Sequence, residues 1–257
     1  MKNLYEEHLN ESLTHTIHTA ETELGKMSLE FGIPDFERAE NAGLFLPPRT
    51  LKRILYFAEL YEKILGVHGS IVQFGVRWGR DLTVLDSFRN ILEPFNPVRR
   101  IIGFDTFTGL KSVTAQDSAQ EQPELMSEGS LSTSDDHVEF LNRLLEVRKV
   151  LAPLQGEGRV NIVQGDASQT IKDYLVTHPE TIIAMAHFDM DIYKPTKDCL
   201  ELILPRMPKG AIIAFDELNY SVAPGETVAL HEVLGIQNVR IQRSTRFSGA
   251  GSYIVLD

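Results

Sequence analysis

Between residues 70 and 216 the chain alternates short, almost continuous apolar runs with longer stretches whose apolar positions recur at helical spacing. The runs are Ile71-Val72-Gln73-Phe74, Arg100-Ile101-Ile102-Gly103-Phe104-Asp105, Val160 to Asp166, Ile182 to Asp189 and Ala211 to Asp216. Runs of this kind suit parallel strands covered on both faces. The stretches between them predict helices over 136–150, 168–176 and 195–204, and Leu82, Leu85, Phe88 and Leu92 predict one after the first run. Strand and helix in this alternation imply an α/β, doubly wound sheet. At the end, residues 239–243 and 252–256 flank Gly249-Ala250-Gly251 and read as an antiparallel hairpin. The whole pattern predicts a mostly parallel seven-stranded sheet whose last strand is antiparallel.

Residues 1–66 differ from the rest. They are polar and helix-permissive at first, then broken at Gly32 and Pro34, then apolar and extended from Gly43 to Pro48. Thr50 is placed to cap a helix whose apolar positions are Leu51, Ile54, Leu55, Ala58, Tyr61 and Leu65, closed by Gly66 and Gly69. This predicts an N-terminal helical extension, which covers an edge or closes over a ligand, followed by one α/β domain over 67–257. Residues 111–135, rich in Ser, Thr, Gln and Glu, are too long for a plain connection in a compact domain. They follow the second strand on the ligand side of the sheet and are expected to form a mobile lid.

The balance of 36 acidic against 25 basic residues, a formal charge of −11, argues against nucleic acid or an anionic membrane as partner. One cysteine, Cys199, excludes an internal disulfide framework and suggests a reducing cytoplasm. The N-terminal residues contain no apolar signal core, and no run approaches the roughly 20 apolar residues of a membrane span.

The candidate chemistry lies at the ends of the strands. Ser70 to Gly79 reads as strand, glycine turn and helix start, the opening unit of a nucleotide-binding domain, where free backbone N–H groups receive an anion. Arg77 and Trp78 occupy the middle of that turn, where a pyrophosphate would need bare backbone, so a dinucleotide is disfavoured. A nucleoside without phosphates, such as S-adenosylmethionine, fits better. Four later strands end in acid: Asp105, Asp166, Asp189 and Asp216. Any one of them can be a helix cap or turn former; four together point to a ligand at the carboxyl rim of the sheet. Asp105 is placed to accept ribose hydroxyls and Asp166 to face an adenine edge. Asp189-Met190-Asp191 and Asp216-Glu217, if on neighbouring strands, would converge within about 5 Å, which suits a hard divalent cation such as magnesium. The plain alternative is Asp216 as a cap with Glu217 in water.

Four stretches carry a family likeness. Val72-Gln73-Phe74-Gly75-Val76-Arg77-Trp78-Gly79, Gly103-Phe104-Asp105-Thr106-Phe107-Thr108-Gly109-Leu110, His187 to Thr196 and Pro208 to Glu217 resemble, in this order, the macrocin O-methyltransferase family. The resemblance covers residues 45 to 257. It implies the class I methyltransferase, Rossmann-like fold and the metal-assisted transfer of a methyl group from S-adenosylmethionine to a sugar hydroxyl. In such enzymes the sugar is a nucleotide-linked deoxysugar such as TDP-rhamnose or part of a finished glycoside in antibiotic or other natural-product pathways. It further implies that Gly75, Gly79, Asp105 and Asp166 hold the cofactor, with Gln73, Arg77, Thr106, Ala167 and His187 beside it, and that Asp189, Asp216 and Glu217 ligate Mg2+ or another divalent cation. The family usually has Glu at the position of Gln73 and Asp at that of Glu217.

Removing the proton of the acceptor hydroxyl calls for a general base. His137, which opens a helix behind Asp135 and Asp136, is the first candidate, since family members carry a histidine in this region. Lys194 is the rival, because the related catechol methyltransferases use a lysine just after a metal aspartate. His187 reads as a packed neighbour of the cofactor rather than a base. Arg240, Arg243 and Arg246 could meet a diphosphate or simply face water. Two other readings remain open: a methyltransferase for catechols or phenols, and a non-catalytic cofactor-binding scaffold. The expected partner is a small sugar or nucleotide sugar, and a homo-oligomer is expected from the family.

Overall fold

The apolar runs become the strands of one seven-stranded sheet, as a computed structural model of the chain shows for residues 11–117, 126–152, 159–247 and 251–257. The strands are β1 (Ser70–Phe74), β2 (Ile101–Asp105), β3 (Val160–Gln164), β4 (Ile183–Phe188), β5 (Ile212–Phe215), β6 (Gln242–Arg243) and β7 (Ser252–Val255). Their order across the sheet is β3-β2-β1-β4-β5-β7-β6. The first five pair in parallel, and β7 runs antiparallel to both of its neighbours. The order reverses beside β1, so that the carboxyl ends of β1 and β4 flank the switch point where open α/β sheets bind their ligands.

The helices are α1 (Glu11–Glu30), α2 (Asp35–Glu40), α3 (Pro48–Ile64), α4 (Arg80–Leu92), α5 (His137–Leu151), α6 (Ala167–Thr177), α7 (Tyr193–Ile203) and α8 (Gly225–Leu234). Residues 1–56 and 57–257 form two compact units. In the first, Arg38 donates to the carbonyls of Ser28 and Phe31 and so joins α2 to the end of α1. Helix α3 starts at Pro48 rather than after a Thr50 cap, because proline at the first helical position forgoes a donor that would be unpaired anyway.

In the second unit, α6, α7 and α8 cover one face of the sheet through Ile171, Leu175, Leu200, Ile203, Ala229 and Leu230. Helix α4 packs on the other face, where Leu82 and Val76 fill the space left by Gly103 of β2. The last residues of β1, β4 and β5 and the penultimate residue of β2 are phenylalanines in register. Phe104, Phe74, Phe188 and Phe215 stack side by side with ring centroids 5.4, 4.8 and 5.2 Å apart. This aromatic row lies directly below the strand ends that carry the acids. At the opposite end of the sheet the fully buried Arg99 pairs with Glu93 at 2.7 Å and donates to the carbonyls of Ile64 and Gly69. Burial pushes the Glu93 carboxyl up, but hydrogen bonds from Arg99, Tyr61 and Asn96 outweigh it and hold it below the ordinary range.

Two expectations are revised. The run 239–243 pairs only at Gln242 and Arg243. Helix α8 has no counterpart in the sequence reading. Its Pro224-Gly225 start resembles a turn, and its apolar residues, Val228, Ala229, Leu230, Val233 and Leu234, do not keep to one stripe. Of the lid segment 111–135, residues 118–125 lie outside the described residues. Its two ends are bonded together. Leu110 and Gly129 to Ser130 exchange backbone hydrogen bonds, and Thr133 N–H donates to Phe107 O. Among the described residues, no helix is long and apolar enough to cross a membrane.

Candidate active site

The glycine turn after β1 is held from two sides. Gly75 and Gly79 both have φ of +85°, and a Cβ at Gly75 would collide with the Asp189 carbonyl oxygen. Only glycine lets the two turns approach so closely. Arg77 also takes a left-handed backbone, φ +48°, and two groups brace it. Asp105 Oδ2 accepts the N–H groups of Val76 and Arg77 at 2.6 and 2.7 Å, and its Oδ1 accepts that of Phe107 at 2.6 Å. His137 Nε2 lies 3.0 Å from Arg77 O. A carbonyl only accepts, so Nε2 carries the proton and Nδ1 the lone pair. The imidazole is buried, edge-on to Trp78 at 4.9 Å and beside Phe107 and Phe140.

Gln73 is buried on β1 between Gly103 and His187. Its Nε2 donates to Gly75 O at 2.8 Å, and its Oε1, also buried, has no hydrogen-bond partner among the described residues. An acceptor left so costs about 1–3 kcal/mol, which a donor on a ligand would recover. His187 is fully packed, with its ring edge-on to Phe57 at 4.9 Å.

Asp189 leaves β4 with its N–H bonded to Phe74 O, and Asp216 leaves β5 with its N–H bonded to Phe188 O. The acids that converge are Asp189, Asp191 and Glu217, with one oxygen from each within 4.8 Å of the others. The expected ligand set was Asp189, Asp216 and Glu217; the group that converges holds Asp191 where that set has Asp216. Asp191 has a left-handed backbone, φ +64°. Asp191 is 3% exposed and Glu217 7%, and Asp191 Oδ1 and Glu217 Oε2 are buried without partners. Burial pushes both carboxyls above the ordinary range, Glu217 strongly. Asp216 adds to both shifts, and Glu217 offers Asp191 a hydrogen bond that partly offsets its own. Hard oxygen donors that converge, two of the three residues buried, are a donor set that fits Mg2+ or a similar divalent cation.

The remaining expected residues sit as follows. Asp166 caps α6, its Oδ1 accepting the Ser168 N–H at 3.0 Å and hydroxyl at 2.7 Å, which is the helix-cap role. Ala167 is the buried first residue of α6. Thr106 Oγ1 donates to Gly109 O at 2.8 Å and shapes the turn after β2. Lys194 is exposed and paired with Asp198 at 2.6 Å, a contact that raises its pKa. Arg240, Arg243 and Arg246 are exposed. From the residues Asp191 was grouped with the metal acids, the family-implied set left it out, and neither found Glu226 or Asp117, which are fully buried around the same rim. An acid in the first turn of a helix, as in Pro224-Gly225-Glu226, was the available signal for Glu226.

No protein-family model matches the chain, and no curated protein sequence does. Solved structures do. The calicheamicin methyltransferase CalS11 is 35% identical with a TM-score of 0.87, covering 96% of this chain and 94% of that one. The apo structure of CalS11, described as a TDP-rhamnose 3'-O-methyltransferase of calicheamicin biosynthesis, is 33% identical with a TM-score of 0.79 over 96% of each chain. The O-methyltransferase NovP, at 19% identity and a TM-score of 0.57 over 80% of each chain, shares the fold. With more than a third of its residues identical over nearly the full length of both chains, the protein belongs to the sugar O-methyltransferase family represented by CalS11.

Proposed function

We propose that the protein is a sugar O-methyltransferase of the macrocin type that uses S-adenosylmethionine and a divalent cation such as Mg2+. Its acceptor is a hydroxyl of a deoxysugar, carried as a nucleotide sugar such as TDP-rhamnose or within a natural-product glycoside. The observation that carries this reading is the convergence of Asp189, Asp191 and Glu217, the last two buried with an oxygen that lacks a hydrogen-bond partner among the described residues, next to the glycine turn in a chain 35% identical to CalS11. When bound, S-adenosylmethionine supplies a methyl group on a sulfonium, and the cation supplies positive charge that favours loss of the acceptor proton.

The chain's own residues divide the remaining work. Gln73 Oε1 would receive the ammonium of the cofactor's methionine part, beside the turn of Gly75, Arg77 and Gly79. Asp105 braces that turn through three N–H groups, with which a ribose would share its oxygens. Asp189, Asp191 and Glu217 would hold the cation, whose charge would favour the ionised forms of the buried Asp191 and Glu217. His137 would take the acceptor's proton at Nδ1, while Nε2–H stays on Arg77 O. The phenol reading loses the lysine it would use, since Lys194 is paired with Asp198 in solvent. The scaffold reading leaves three converging acids, two of them buried, without a purpose.

Two assays test the proposal. Calorimetric titration with S-adenosylmethionine should show binding, and labelled methyl should pass from it to TDP-rhamnose or a related glycoside, with turnover abolished by EDTA and restored by Mg2+. Absence of cofactor binding, or turnover indifferent to EDTA, would contradict it.

A further inference from the structure

Helix α8 places a carboxylate outside the ligand group yet in contact with both loops that carry it. Glu226 is fully buried in the first turn of α8. Its Oε1 accepts the N–H of Met190, the residue between Asp189 and Asp191, at 3.2 Å. Its Oε2 accepts the N–H of Glu217 at 3.3 Å. One side chain therefore ties the turn after β4 to the turn after β5. The helix start reaches this position because residue 225 is glycine: a Cβ there would overlap the Asp117 carboxylate and the Ile192–Tyr193 peptide. Asp117 in turn accepts the N–H of Tyr193, so the start of α7 is fixed against the same point.

Both bonds go to main-chain N–H groups of the ligand-bearing turns, so they fix where the ligand side chains begin. The oxygens left unpartnered in this region belong to Asp191 and Glu217, whereas both Glu226 oxygens are engaged. We infer that Glu226 is a positioning residue: it sets the separation of the Asp189–Asp191 turn from Glu217 without giving an oxygen to the cation. The inference rests on the metal reading above. It makes a geometric demand that neither near-isostere meets. Glutamine has one acceptor and turns an NH2 toward the second N–H; aspartate keeps the charge but is one methylene too short to bridge both.

Mn2+ binding, followed by the electron paramagnetic resonance of the free ion, reads this without turnover. The wild-type protein should bind Mn2+, and Glu226→Gln and Glu226→Asp should each weaken binding about 10–100-fold, as loss of an outer-shell partner does. Glu232→Gln serves as control, because Glu232 lies exposed on the same helix, paired with Lys197, and should bind as wild type. Wild-type affinity in Glu226→Asp with loss only in Glu226→Gln would show that charge alone matters and overturn the inference, as would wild-type affinity in both. Wild-type protein that fails to bind Mn2+ would instead overturn the metal reading underneath. If circular dichroism shows neither variant folded, amide exchange in the wild type decides. The Met190 and Glu217 amides should be strongly protected, and exchange at the rate of an open loop would overturn the bridge.

Discussion

Asp191 and Glu217 are acids kept almost dry beside other acids, and each has an oxygen that no protein group serves. A cation satisfies both conditions at once, whereas one carboxylate removed leaves the others with less charge to hold it. Asp191→Asn and Glu217→Gln are therefore expected to weaken Mg2+ binding by at least about 10-fold, the lower end of what an outer-shell loss already costs, measured by calorimetry. Replacing His137 with Ala should lower turnover about 10²–10⁴-fold if Nδ1 takes the proton, while Lys194→Ala should turn over as wild type; steady-state kinetics of the two variants distinguish the bases. Gln73, His187 and the acid rim stood out from residue type and strand position. Asp191 was legible only as part of a motif. It takes a left-handed backbone torsion that no side-chain pattern announces.

Among the elements, the strands reveal themselves most clearly in the sequence because a parallel strand buried on both faces is apolar throughout. Helix α8 does not, since it starts on proline and glycine and is apolar around much of its circumference. Its absence from the sequence reading hid Glu226 with it. The phenylalanine row joins sheet to site: Phe188 stacks on Phe74 and Phe215, and the next residue is Asp189. Phe188→Ala should cost about 3–5 kcal/mol of stability, read from denaturant unfolding, and should weaken metal binding in the protein that remains folded. A loss of stability under about 1 kcal/mol would mean that the row does not support the rim.

Across the molecule, the buried acids link stability to pH and metal. Burial holds the carboxyls of Asp191, Glu217 and Glu226 above their ordinary range. Between the ordinary and the raised pKa the folded chain binds more protons than the unfolded one. Their contribution is thus fully present below the ordinary carboxylate pKa and is lost as pH rises through the raised values. A bound cation favours the ionised acids and removes that loss. The metal-free protein should lose stability as pH rises above the ordinary carboxylate range, relative to the same protein in saturating Mg2+, with denaturation midpoints as the readout. Equal pH profiles with and without Mg2+ would mean that these acids do not meet the ion.

The account stands on a cation held by Asp189, Asp191 and Glu217 beside the glycine turn. Crystals grown with S-adenosylhomocysteine and Mn2+, measured at an energy where manganese scatters anomalously, test it most directly. The result expected is one anomalous peak at about 2.0–2.6 Å from oxygens of these three residues, with the nucleoside at the ends of β1 and β2 and its ammonium on Gln73. A map with no peak there, or with the three acids turned apart onto protein donors while S-adenosylhomocysteine is bound, would contradict it.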